Sequence, residues 1–241
     1  MTSEAPNAGA ATADFEFSAL QEARHYREAL IQEFRKSLGG SVIEIGAGIG
    51  QMTALLRRLP QISRLVSIEP DAAFAARLHQ THPDVELIEG TIEQAPAGVD
   101  WDAILSINVL EHIQDDEAEL ARYAKLLAAR RGALCLFVPA RPELYAPIDK
   151  DFGHFRRYTR PELRQKLLAA GFAIERLNYY NCIGYFAWWL NFCVLKKREF
   201  DVAKVWALDR LIFPICHAIE SSIVRPPFGQ SLLAIARHQN F

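Results

Sequence analysis

Ser41-Val-Ile-Glu-Ile-Gly-Ala-Gly-Ile-Gly50 is the stretch whose reading decides the fold. Val42 to Ile45 is a short apolar run with the character of a fully buried strand. It stops at three glycines spaced two apart, Gly46, Gly48 and Gly50, and Gln51 to Leu59 behind them has the leucine and arginine content of a helix. Strand, glycine turn and helix in that order build a cofactor pocket. The glycines permit positive φ and close approach of backbone to ligand, and the helix start offers unpaired N–H groups. Such turns hold either a dinucleotide or an adenosyl group carrying an amino acid; the bare alternative is a tight turn with no ligand. A dinucleotide fingerprint, Gly-x-Gly-x-x-Gly, requires glycine at position 51, where this chain has Gln51.

Working outward, the composition bounds the answer. The chain has 241 residues, 50% of them hydrophobic, enough for one large α/β domain. Lysine and arginine number 27 against 29 acids, so the net charge of −2 gives no nucleic-acid footprint. Cys135, Cys182, Cys193 and Cys216 are scattered, the mark of small apolar residues in a reducing compartment. Seven histidines show no paired ligand spacing, so no metal site is expected. Residues 1–14 read as a disordered tail without a secretory signal, and 15–241 as a single domain. No apolar run reaches the ~20 residues of a membrane helix, and the expected location is cytoplasmic.

Phe15 to Leu38 has helical spacing and ends at Gly39-Gly40, and its Tyr26 is placed to reach a cofactor or simply to pack. Arg64 to Glu69 is a second buried strand ending in an acid. Glu69 offers a carboxylate for two ribose hydroxyls, a need that both ligand classes share. Asp71 starts the next helix after Pro70. Val85 to Glu89 is a third strand; Thr91 and Ile92 follow, either facing an adenine or capping a helix. Trp101 to Asn108 is a fourth, very apolar and therefore central strand. It runs into Val109-Leu-Glu-His-Ile113, and Asp115-Asp116 cap a helix reaching about Ala129.

Glu44, Gly46, Gly48 and Gly50 spell Glu-x-Gly-x-Gly-x-Gly, a pattern of S-adenosylmethionine (SAM) binders. With Ser67-Ile-Glu-Pro-Asp71 and Ile107-Asn-Val-Leu-Glu-His-Ile113, the chain resembles the class I SAM-dependent methyltransferases, over about Val42 to Phe172. The Leu-Glu-His segment resembles the small-molecule, ubiquinone-type (methyltransferase type 11/12-like) branch. The resemblance implies that Glu44, Gly46, Ala47, Gly48 and Gly50 surround the methionine portion. It also implies Glu69 and Pro70 at the ribose, Thr91 and Ile92 at the adenine, and Asn108, Val109 and Leu110 on the methionine side. The family often has Asp where this chain has Thr91, which weakens that assignment.

Ala133 to Val138 is a fifth strand, and the loop Pro139 to Tyr158 is the most chemically loaded in the chain. Thr159 is a natural N-cap with Pro161 and Glu162 behind it. Phe172 to Asn178 and Ser231 to Ala236 are the last two strands. The expected fold is a three-layer, Rossmann-like α/β domain with a seven-stranded, mostly parallel sheet, the last strand antiparallel at the edge. An N-terminal helix precedes the sheet, and residues 181–229 form a helical cap. The cap is strongly aromatic at Tyr185, Trp188, Trp189 and Phe192 and is followed by Lys196-Lys-Arg198. It reads as core packing or a homodimer interface, or as a lid for a lipid-like substrate or a peripheral membrane contact.

A sulfonium methyl is already activated, so the protein chiefly aligns a nucleophile with it. An oxygen or nitrogen acceptor must also lose a proton, work suited to a neutral histidine. His154 is the chosen base, with a surface pairing to Asp151 as the plain alternative. His112, Arg156, Arg157, Tyr158, Tyr180 and Trp188 are assigned to a small-molecule acceptor, the arginines for a carboxylate or phosphate. The competing functions are C-methylation on the same fold, an NAD(P)-dependent oxidoreductase, and a non-catalytic SAM-binding module.

Overall fold

The computed structural model describes residues 22–222 and 226–239, so the expected tail at 1–14 lies outside the described residues. Seven strands form one sheet: β1 Gly40–Ile45, β2 Ile62–Glu69, β3 Glu86–Glu89, β4 Ala103–Ile107, β5 Ala133–Pro139, β6 Phe172–Tyr180 and β7 Ser231–His238. Their order is β3-β2-β1-β4-β5-β7-β6. The first five pair in parallel, while β7 is antiparallel to both β5 and β6. The last strand is therefore interior, not at the edge as expected. The burial of the two strands explains the order: Leu232 to Ala236 is buried without interruption, while β6 has exposed and half-buried positions fit for a rim.

Successive residues of each central strand serve opposite faces of the sheet. Ile43 and Ile104 pack with Leu120, Tyr123 and Leu127 of α4 (Asp116–Leu127) and with Leu163 and Leu167 of α6 (Arg160–Ala169). Val42 and Leu105 face the other way, against Leu30, Ile31 and Phe34 of α1 (Arg24–Phe34) and Leu56 of α2 (Thr53–Leu56). The result is three layers, helix, sheet, helix.

Local signals account for the helix ends. Asp71 caps α3 (Ala72–Thr81) by accepting from the N–H groups of Ala73 and Phe74, at 2.9 and 3.1 Å. Thr159 caps α6, with Glu162 completing the reciprocal box. The helix expected from Gln51 to Leu59 shrinks to the single turn of α2. Gly50 and Pro60 bracket it, leaving little chain between two breakers. The loop after β5 is more structured than expected: it holds a 3₁₀ turn, Pro142–Leu144, and a short helix α5, Pro147–Asp151.

The insertion between β6 and β7 is helical. It comprises α7 (Cys182–Trp188), α8 (Val202–Ala207) and α9 (Phe213–Ser222), with π-helical stretches at Trp189–Val194 and Leu208–Ile212. Glu220 reaches back to the N–H groups of Asn181 and Cys182, at 3.1 and 2.7 Å, and so ties α9 to the start of α7. No helix among the described residues is long and apolar enough to cross a membrane.

Candidate active site

The carboxyl ends of β1, β2 and β4 open into a cavity of about 590 Å³. The glycine turn forms its floor. Gly46, Gly48 and Gly50 have φ of 68°, 55° and 88°, in the left-handed region. A Cβ at Gly46 would lie 2.4 Å from Val109 Cγ2, so only glycine lets the two turns approach. Gly46, Ala47 and Gly48 line the cavity; Gly50 does not, and a Cβ there would meet Leu78 and His82 of the neighbouring helix region.

Two buried carboxylates hold the turn. Glu69 accepts from the N–H of Gly48 at 2.7 Å and from that of Asp71 at 2.9 Å. Burial raises its pKa, although both backbone donors oppose the rise. Glu44 accepts from Thr53 Oγ1 at 2.6 Å and Ser67 Oγ at 2.8 Å, and burial pushes it up to about 7 despite those two bonds. The roles of Thr53 and Ser67 went unassigned from the sequence, since a hydroxyl shows its partner only in the fold.

Pro70, Thr91, Ile92, Asn108 and Val109 line the same cavity. The Thr91 hydroxyl is directed to Gln94 Oε1 at 3.0 Å, within a helix-capping arrangement. Asn108 has φ 52° at the end of β4, the bend that turns the chain outward. Leu110 is fully buried and joins the hydrophobic core instead of the cavity wall. Tyr26 lines this cavity and the next, with burial raising its pKa.

A second cavity, about 410 Å³, lies under the helical insertion and shares Tyr26, Asn108 and Phe152 with the first. Phe137, Trp188, Phe192 and Phe213 supply apolar wall; Glu111, His154 and Arg157 supply polar groups. Trp188 is fixed by its indole N–H on the Leu144 carbonyl at 3.0 Å, with the Arg157 guanidinium 4.4 Å over its ring.

Asp149 organises this end of the site. It is fully buried, and its carboxylate accepts from His154 Nδ1 at 3.0 Å, Arg157 Nε at 2.8 Å and the Ala146 N–H at 2.9 Å. Burial alone would raise its pKa, but His154, Arg157 and Ala146 together bring it below the usual value. The His154 side chain is 7% exposed, and its Nε2 is buried without a hydrogen-bond partner. The surface pair with Asp151 does not form, because Arg198 Nε takes Asp151 at 2.7 Å. Asp149 and Glu111 went unassigned in the sequence; the short helix that presents Asp149 carries a legible signal, Pro147 at its start with an acid two positions on.

His112 sits on the 3₁₀ turn Leu110–His112, its ring 4.6 Å from that of His154 and nearly perpendicular to it. The residue as a whole is exposed, yet its ring is walled in. That packing, then the neighbouring His154, pushes its pKa down to about 4.

The remaining assignments fare differently. Arg156 lines neither cavity: Asp116 holds it at 2.8 Å and the Gln114 carbonyl at 2.7 Å. Tyr158 is fully buried, its hydroxyl donating to Asp116 at 2.8 Å. Tyr180 is buried among Tyr26, Phe137 and Phe213. Arg157 reaches the second cavity, but its guanidinium is engaged by Asp149. An anion-binding arginine cluster is thus not what the structure assembles; buried acids have claimed both side chains.

Comparison with known proteins fits this geometry. A family model described as a methyltransferase domain matches residues 19–177, well over half of the chain. No curated protein matches. A chain of the complex between the Haloferax volcanii Trm112 methyltransferase activator and its methyltransferase aligns over 99% of this chain and 100% of its own, with TM-score 0.64 and 15% identity. An S-adenosylmethionine-dependent methyltransferase from Clostridium acetobutylicum aligns over 90% and 92%, with TM-score 0.57 and 9% identity. The plantazolicin methyltransferase BamL, solved with a triazolic desmethylPZN analogue and SAH, aligns over 97% and 90%, with TM-score 0.57 and 13% identity. At these identities the likeness is one of fold. The family match decides between the ligand classes that the glycine cradle alone left open, and the chain belongs to the methyltransferase-domain family as a class I SAM-dependent methyltransferase.

Proposed function

We propose that the methyl acceptor is a small molecule seated in the second cavity, reacting through an oxygen or nitrogen whose proton passes to His154. The cofactor supplies a methyl group already activated on a sulfonium. Gly46, Ala47, Gly48 and Glu44 surround its amino-acid portion, Glu69 and Pro70 its ribose, and Thr91 and Ile92 its adenine. Glu69 is already held by two backbone N–H groups, so a ribose adds to an oriented carboxylate. The helical insertion, within a single domain spanning 15–241, covers the acceptor and excludes water. Asp149 orients the imidazole by accepting from Nδ1, which leaves Nε2 to take the acceptor's proton.

One observation carries this reading: a carboxylate-held histidine with a buried, unpartnered nitrogen lines a cavity that shares three wall residues with the cofactor site. The apolar wall favours an acceptor with an aromatic or aliphatic body. The test is a methyl-transfer screen over phenols, amines and carboxylic acids, followed by His154→Gln on the best acceptor. Turnover is expected to fall about 10²–10⁴-fold, with SAM affinity by calorimetry unchanged. Weakened SAM binding with normal turnover rejects the role.

A further inference from the structure

We propose that Glu111, His112 and His154 form a binding site for one divalent transition-metal ion, zinc by preference. Their ligand atoms, one from each residue, all lie within 4.8 Å of one another. A tetrahedral zinc with bonds of about 2.0–2.2 Å places its ligands ~3.3 Å apart, so closure asks for a shift on the order of 1.5 Å at most. Of the three residues only His112 is exposed, so the 3₁₀ turn that carries it is the part that would shift.

The surroundings match a ligand set. His154 is held at Nδ1 by Asp149, the carboxylate-behind-histidine arrangement that fixes a ligating ring, and its Nε2 is buried without a partner. His112 stands beside it, its ring 4.6 Å from that of His154. Two imidazoles and one carboxylate suit zinc and its neighbours and are poor for magnesium or calcium. Glu111 and His154 belong to the acceptor cavity and His112 to the cofactor cavity, so a fourth position opens onto the space between them. Linear spacing hid the site: two ligands are adjacent and the third lies on a different loop, joined through the Phe155 N–H on the Glu111 carbonyl at 2.8 Å.

The site competes with the reading of His154 as a base, because one lone pair cannot serve both a metal and a proton. Bound zinc should therefore inhibit methyl transfer. Chelator-treated protein is titrated with Co²⁺, whose visible absorption reports a tetrahedral site, and Zn²⁺ is then used in competition. One equivalent should bind, and Glu111→Gln and His112→Gln should each weaken it at least about tenfold while thermal unfolding shows both variants folded. Absence of the band, or equal affinity in the two variants, overturns the site. Stoichiometric zinc that suppresses turnover, reversed by chelator, supports both readings. Stoichiometric binding that leaves turnover unchanged or raises it keeps the site and removes the free-base role. Loss of turnover in His154→Gln with no metal bound by wild type keeps the base and removes the site.

Discussion

Asp149 answers to three donors, and the consequence of altering it follows from burial. Its side chain is fully buried and that of its ion-pair partner Arg157 is 1% exposed. Asp149→Asn removes the countercharge while leaving the guanidinium in place, a change that costs about 3–5 kcal/mol for a buried pair. Chemical denaturation of the variant checks this, and a loss below about 1 kcal/mol rejects it. Glu44 makes a different prediction. Burial raises its pKa from 4.5 to about 7, so the native state favours the protonated acid. The associated stability is complete below 4.5 and is lost as pH rises through about 7. Between pH 5 and 8, wild type should lose stability relative to Glu44→Gln by up to ~3 kcal/mol. Denaturation at both pH values reads the difference, and the opposite slope refutes the assignment. Neither behaviour was legible in the sequence. Glu44 and Asp149 could be seen as acids near a glycine turn and in a polar loop, but Ser67 comes from the next strand, and Arg157, eight positions along the same loop, is one of several basic residues there that could have been the partner.

The glycine turn and the turn after β4 meet as two elements with no room to spare. Gly46→Ala must carry a side chain at φ 68° and place its Cβ 2.4 Å from Val109 Cγ2. The left-handed backbone alone costs ~1–2 kcal/mol, so SAM affinity should fall at least about tenfold. Val109→Ala in the same chain should recover part of that loss, since it removes the clash but not the backbone strain. Calorimetry on the single and double variants separates the two, and full recovery or none would contradict the account. Elements whose signals are local were legible: the five parallel strands, the Asp71 and Thr159 caps, and the helix after Asp115-Asp116. What failed depended on distance. The rank of β7 within the sheet is a pairing choice, and the length of α2 is set by breakers at both ends.

Across the whole molecule, Asp209 joins parts far apart in sequence. Ala23 provides no side-chain cap for α1, and Asp209, from the π-helical stretch of the insertion, accepts from the N–H groups of His25 and Tyr26 at 3.0 and 2.8 Å. Asp209→Ala should cost about 1–2 kcal/mol, the usual loss of a cap, and weaken SAM binding, because Tyr26 lines both cavities. Asp209→Asn should retain most of both, since Asn also caps well. Thermal unfolding and calorimetry of the pair test it; equal damage in the two would point to charge instead. The rank of β7 also bears on biosynthesis. Among the described residues β6 has no strand partner but β7, which is made after the entire helical insertion. A nascent chain can therefore assemble its five parallel strands early, while β6 and the cap wait unanchored until the polypeptide beyond Ser231 leaves the ribosome. During that interval β5 presents an open edge, the one that β7 later closes.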